Sequence, residues 1–225
     1  MLRRLLIAVL VLIVAAVVVL DRVGEHVAAH VLAGKLQSEE HLAERPSASI
    51  GGFPFLTQVF GGKYDDVSVT AHNVKTSDGV TVSTLTAHLH GAHIPLSKML
   101  HGSVTRVPVD RVDGKAFVSF GDIGRYLSTL GVTVTLSRSS AHGIDLTGRL
   151  PLGGKTRLVH AVVTVAVTRS VVTLSGPAQA GRLTKPLALQ IPLRALPFRF
   201  TVTSVTVGGN GISGTGTAKH VELGS

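Results

Sequence analysis

Eleven histidines are the first residues in this 225-residue chain whose type could do chemistry. His26 and His30 stand at i,i+4, which puts two imidazoles on one face of a helix, and His88 and His90 share one face of a strand with His93 close by. A zinc site needs further ligands in reach, and neither group has a carboxylate or an H-E-x-x-H arrangement to supply them. The simpler reading is a solvated face that gains positive charge in a mildly acidic setting. The carboxylates are equally poor material for hydrolysis. Asp78, Asp110, Asp113, Asp122 and Asp145 are scattered, several at turns, and adjacent Asp65 and Asp66 would point to opposite faces of a strand. There is no G-x-S-x-G turn, and the absence of Cys excludes a thiol nucleophile, Cys-ligated zinc, an iron–sulfur cluster and a disulfide framework. Gly-Lys dipeptides at 34–35, 62–63, 114–115 and 154–155 complete no phosphate-binding loop and read as turns. The expectation is a protein that is not an enzyme and has no cofactor.

Charge and the N-terminus give the first positive indication. The net charge of +9 calls for an anionic partner: nucleic acid, an anionic membrane surface or acidic headgroups. Arg3 and Arg4 precede sixteen uncharged residues, Leu5 to Leu20, and Asp21-Arg22 follow. That pattern is an export signal, read as residues 1–21 forming a signal or membrane anchor and residues 22–225 one domain. The run spans about 24 Å as a helix, against about 30 Å of hydrocarbon, so anchoring needs bilayer thinning or residues from the flanks. A small-residue cleavage site at Val14-Ala15-Ala16 falls inside the run, which leaves cleavage open. With Arg3 and Arg4 kept inside, the rest of the chain lies outside the plasma membrane, on its outer face or elsewhere in the envelope. Nucleic acid is therefore not an expected partner, all the less because the Phe fall in apolar phase with their strands.

The elements that would position a site follow from periodicity. Arg22 to Glu44 fits an amphipathic helix, with Val23, Val27, Val31, Leu32 and Leu36 on one side, ended by Arg45-Pro46. It would pack on a sheet or lie in the membrane interface. After Pro46 the pattern is of period two: Val67, Val69 and Ala71, then Val132, Val134 and Leu136, alternate with polar residues as in half-buried strands. Asp78-Gly79 and Asp113-Gly114 read as hairpin turns of an antiparallel meander. Apolar phase switches between Val82 and Leu85, and again between Val202 and Val205, which implies bulges or bends in long, curling strands. The nearly continuous apolar run 159–167 suggests a central strand covered on both faces. A second helix has Ser119 as N-cap, Asp122 three residues on, the apolar set Phe120, Ile123, Leu127 and Leu130, and Gly131 at its end. A short helical turn is expected over 193–196. The fold class is α+β.

One stretch is more specific. Ile50-Gly51-Gly52-Phe53-Pro54-Phe55 continues through Phe60-Gly61-Gly62-Lys63-Tyr64 and carries three of the seven Phe of the chain. Gly51-Gly52 permits unusual backbone angles and Pro54 fixes a turn, so the aromatics can plug one end of a core or line a pocket mouth. Together with the order of elements and the late Leu196-Pro197-Phe198 turn, this block resembles the LmeA-type phospholipid-binding family from about residue 22 to the end. The resemblance implies an actinobacterial envelope protein that binds phospholipids such as phosphatidylinositol and supports lipoglycan maturation. It also implies a fold like half of a tubular lipid-binding (TULIP/BPI-like) domain, a long curled antiparallel meander wrapping an N-terminal helix.

The function expected is phospholipid binding in an apolar cavity between helix and curled sheet, with phospholipid and a membrane surface as partners. An envelope glycosyltransferase or transport partner is a further possibility. Val27 and Val31 of the first helix, Phe53, Phe55 and Phe60 of the block, and Phe120 and Leu127 of the second helix are candidate lipid contacts. So are Phe198 and Phe200, and Gly214 and Gly216, whose small strand face could leave room for an acyl chain. The competing reading is an envelope scaffold or interaction protein with no lipid cavity.

Overall fold

The computed structural model describes residues 2–39, 42–76, 79–95, 97–98, 106–129, 131–152, 155–168, 171–180, 183–192 and 201–223. The fold is α+β, with one long N-terminal helix and antiparallel sheet that does not close on itself. Helix α1 (Leu2–Glu39) is followed by β1 (Ser47–Gly51), a short helix α2 (Phe55–Gly61), β2 (Lys63–Lys75), β3 (Thr81–His93) and β4 (Val107–Ser119). Helix α3 (Phe120–Thr129) leads into β5 (Thr133–Arg138), β6 (Gly143–Leu152), β7 (Lys155–Thr168), β8 (Val171–Ala180) and β9 (Leu183–Pro192). Strands β10 (Thr201–Val207) and β11 (Gly211–Leu223) close the chain's described part. The strands form two sheets, in the orders β1-β2-β3-β4-β11-β10 and β5-β6-β7-β8-β9. The second is a pure meander, as expected. The first is a meander only as far as β4, because α3 carries the chain away and β11 returns to pair where a fifth consecutive strand would lie.

Residues 1–70, 87–112 and 219–225 form one compact unit, and residues 71–86 and 113–218 form another. In the first, α1 packs on β1 and α2, and Ile50, Phe55, Tyr64, Val67 and Val109 are buried. In the second, Phe120, Ile144, Val165 and Val207 form a core against which Ile123, Leu136, Val205 and Ile212 pack.

Several expectations from periodicity hold. Val67 and Ala71 are buried, and β5 buries Val134 and Leu136 in part while its alternate residues are exposed. The phase switch in β10 is a register shift between Val202 and Ser204 against β11. Others are corrected. The run 159–167 is not covered on both faces: Val159, Ala161, Val163 and Val165 are buried, whereas Val162 is exposed, so β7 is half-buried although it is the middle strand of its sheet. A run of Val and Ala reads as buried on both sides because both residue types tolerate either face. Asp113-Gly114 makes no hairpin but lies inside β4, where cross-strand pairing overrides a dipeptide turn signal. The first helix is continuous with the apolar run and is described as far as Glu39, and residues 42–44 are not helical, so it ends short of Glu44. The Asp78 turn position and the turn expected over 193–196 lie outside the described residues.

The start of α3 is set by a buried carboxylate. Ser119 Oγ accepts the Asp122 N–H at 3.0 Å and donates to Asp122 Oδ2 at 2.6 Å. Ser83 on β3 accepts the Ser119 N–H at 2.9 Å and donates to the same oxygen at 2.5 Å, and Arg125 pairs with Oδ1. The Ser119 and Ser83 hydroxyls therefore hold Asp122 below the usual carboxylate range, with Arg125 adding to the effect against the opposing influence of burial. Asp122→Ala strands two hydroxyls and should cost about 2–3 kcal/mol, whereas Ser119→Ala should cost about 1 kcal/mol, both read by urea unfolding. The lowered folded-state pKa makes the contribution of Asp122 complete above its unfolded value, about pH 4, and lost as pH falls through that value towards the folded one. The stability gap between wild type and Asp122→Asn should accordingly narrow below about pH 4.

Candidate functional site: the Gly-Phe-Pro-Phe block against helix α1

The block is built on Gln58 and Asp21. Gly52 has φ +95°, and a Cβ there would stand 2.6 Å from Gln58 Nε2, so both the backbone angle and the crowding require glycine. Gln58 is buried, donates from Nε2 to the Gly51 carbonyl at 3.1 Å and accepts the Asp65 N–H at 2.9 Å. One side chain thus ties the end of β1 to the start of β2 across the turn of α2. Phe55 is buried against Tyr64, with ring centroids 6.4 Å apart, and burial raises the Tyr64 phenol above its ordinary pKa. The peptide between Phe53 and Pro54 is cis.

Asp21 joins this turn to α1. Its Oδ1 accepts the Leu56 N–H at 2.7 Å, one of the donors that a helix start leaves unsatisfied, and the side chain is almost completely enclosed. Three residues on, Gly24 lies next to the Phe55 ring, where a Cβ would make an ordinary contact at 3.4 Å. Arg22 lies over the ring of Phe53, 5.2 Å from its centroid, and also reaches Glu25 at 3.4 Å.

The face of α1 that packs is carried by Asp21, Ala29 and Ala33, which are buried, and Leu32 and Leu36, which are half-buried. Val23, Val27 and Val31 are exposed, at 55%, 58% and 63%. This corrects the expected inward valine face. Small residues at four-residue spacing let α1 approach its neighbours, which turns the larger valines outward. The exposed valines continue the apolar half of the same helix, where Val11, Leu12 and Leu20 are each more than half exposed. Among the described residues, no helical stretch is by itself long and apolar enough to cross a membrane.

The block's aromatics divide: Phe55 is core, whereas Phe53 and Phe60 are exposed at 57% and 77%. In the second unit Phe120 is buried and Leu127 half-buried. Gly216 is buried opposite Val202, just before the register shift, and a Cβ on Gly214 would meet only Val205 at an ordinary 3.8 Å. Phe198 and Phe200 lie outside the described residues.

His88, His90 and His93 lie beside carboxylates. His88 and His90 stack with centroids 6.3 Å apart, and their Nδ1 atoms stand 3.6 and 3.4 Å from Asp66 Oδ1. His93 and Lys63 flank Asp110 at 3.6 and 3.2 Å, and the Lys63 hydrogen bond, with help from both cationic partners, lowers the Asp110 pKa. His26 and His30 are exposed on α1. Among the described residues, no group of three or more His, Asp or Glu is arranged to hold a metal ion.

A family model described as LmeA-like phospholipid-binding matches residues 19–217, most of the chain. The chain belongs to the LmeA-like phospholipid-binding family. The match begins two residues before Asp21, so it takes in the packed part of α1, the Gly-Phe-Pro-Phe block and nearly all the strands. No curated protein and no solved structure is significantly similar to this member of the LmeA-like family.

Sequence reasoning found the block but neither Asp21 nor Gln58, the side chains that hold it. Asp21 was visible only as the end of an uncharged run, and the one further signal was Gly24, a small residue one turn on. The expected outcome of Asp21→Ala is a loss of about 1–3 kcal/mol, with Asp21→Asn, which keeps an acceptor, closer to wild type. Phe55→Ala should cost about 3–5 kcal/mol. Phe53→Ser and Phe60→Ser should stay within about 0.5 kcal/mol, all by urea unfolding.

Proposed function

We propose that this protein is an exported, non-enzymatic phospholipid-binding protein of the cell envelope, held at the outer face of the plasma membrane by the apolar half of α1. Membership of the LmeA-like phospholipid-binding family carries the reading. The bare apolar surface of α1 from Ile7 to Leu20 supports the membrane attachment, since so much exposed aliphatic surface on one helix needs an apolar partner. The net charge of +9 favours anionic headgroups, phosphatidylinositol among them. Acyl chains occupy an apolar cavity between helix and curled sheet, in a fold like half of a tubular lipid-binding domain. The small strand face at Gly214 and Gly216 is a further candidate contact for lipid. The protein serves envelope lipid and lipoglycan maintenance, alone or beside a glycosyltransferase or transport partner.

Native mass spectrometry of the full chain released from membranes tests this reading. A copurifying phospholipid of unaltered mass is expected, and a lipid-free protein favours the scaffold. Binding to vesicles should be stronger with phosphatidylinositol than with phosphatidylcholine alone and should weaken as salt is raised. Gly214→Leu, at the half-buried glycine where a Cβ would meet only Val205 at 3.8 Å, should lower lipid occupancy with little change in melting temperature. Wild-type occupancy in that variant, or its unfolding, removes the glycine face from the site.

A further inference from the structure

We infer that Phe53, just before α2, and Phe60, near the end of α2, form an aromatic collar that docks onto the bilayer surface beside the emerging α1 helix. The inference rests on the proposed membrane attachment through α1 and adds to it a second contact with the lipid.

Three observations place the collar at that level. Asp21, the first charged residue after the apolar run, binds the start of α2 directly through the Leu56 N–H at 2.7 Å. The Gly-Phe-Pro-Phe turn is therefore fixed beside the point where α1 changes from uncharged to charged. Arg22, the next residue, sets its guanidinium over the Phe53 ring at 5.2 Å while reaching Glu25 at 3.4 Å, and both Arg22 and Phe53 are exposed. The turn exposes Phe53 and Phe60 at 57% and 77% while burying Phe55 and Gln58, although burying all three aromatics in one unit would favour the fold.

The length of the apolar run decides how close the collar lies to lipid. Sixteen uncharged residues rise about 24 Å as a helix, less than the roughly 30 Å of a hydrocarbon core. Matching the two draws the Asp21 end towards the acyl boundary, with no slack that would let the domain stand off. Phe53 and Phe60 then enter the interfacial layer, where aromatic rings are favoured, and the Arg22 guanidinium over Phe53 lies at the level of lipid phosphate. Val23, Val27 and Val31 continue the apolar surface of α1 away from that boundary.

The absence of Cys allows single probes to be placed by Phe53→Cys, Phe60→Cys, Ile13→Cys and Ser38→Cys in the full chain. Each labelled protein is reconstituted into phosphatidylcholine–phosphatidylinositol vesicles whose acyl chains carry a spin label either near the carbonyl or near the chain end. Ile13 should be quenched most by the deep label. Phe53 and Phe60 should be quenched severalfold more by the shallow label than by the deep one. Ser38, about 25 Å past Asp21 along the helix, should be quenched by neither. If Ile13 is quenched while Phe53 behaves like Ser38, the anchor stands and the collar is overturned. If Ile13 is not quenched, the attachment through α1 fails and the collar with it.

Discussion

The carboxyl of Asp21 is almost fully enclosed one residue after sixteen uncharged ones, and enclosing a carboxyl is costly unless it is hydrogen-bonded. Its bond to the Leu56 N–H satisfies Oδ1 and supplies a partner to a helix start that would otherwise lack one, while Oδ2 is buried without a hydrogen bond, so the cost is only partly offset. The other arrangements of the first unit depend on this bond. It sets the rotation of α1, so that Ala29 and Ala33 face inward and the valines outward. It also sets the height of α2, so that Phe55 meets Gly24. Gln58 then holds both sides of the turn by its own hydrogen bonds.

The second unit uses similar chemistry for another purpose. Asp122 is also a buried carboxyl at a helix start, but its partners are two hydroxyls and a guanidinium, so α3 is bound to β3 through Ser83 as well as capped by Ser119. In both units a short acidic side chain near a helix N-terminus decides where that helix lies.

Elements marked by local chemistry were legible in the sequence. Ser119, Asp122 and Gly131 delimit α3 as their types imply, and the phase change around Val202 is a true register shift. Signals that depend on neighbours were not. Val27 and Val31 have the right spacing for a core face, yet spacing defines a stripe and not the direction in which it points. Asp113-Gly114 has the right composition for a turn, yet strand pairing holds it extended. The Gly-Phe-Pro-Phe block was legible as a place of interest because Gly and Pro constrain the backbone by themselves. The division between buried Phe55 and exposed Phe53 and Phe60 was not, because the turn that carries them is fixed to α1 by the bond between Asp21 and Leu56, 35 positions apart in sequence.

Helix α1 runs from Leu2 to Glu39 without a break, so its apolar and packed halves share one screw axis. A flexible joint would let the domain tumble and reach sideways over the membrane. A continuous screw instead converts position along the chain into azimuth: one residue added between Leu20 and Asp21 would turn everything beyond it by about 100° and raise it by about 1.5 Å. Two added residues would come close to reversing the face that the domain presents to its surroundings, at no cost in composition or hydrophobicity. For a protein attached through such a helix, the number of residues before Asp21 fixes compass bearing as well as depth.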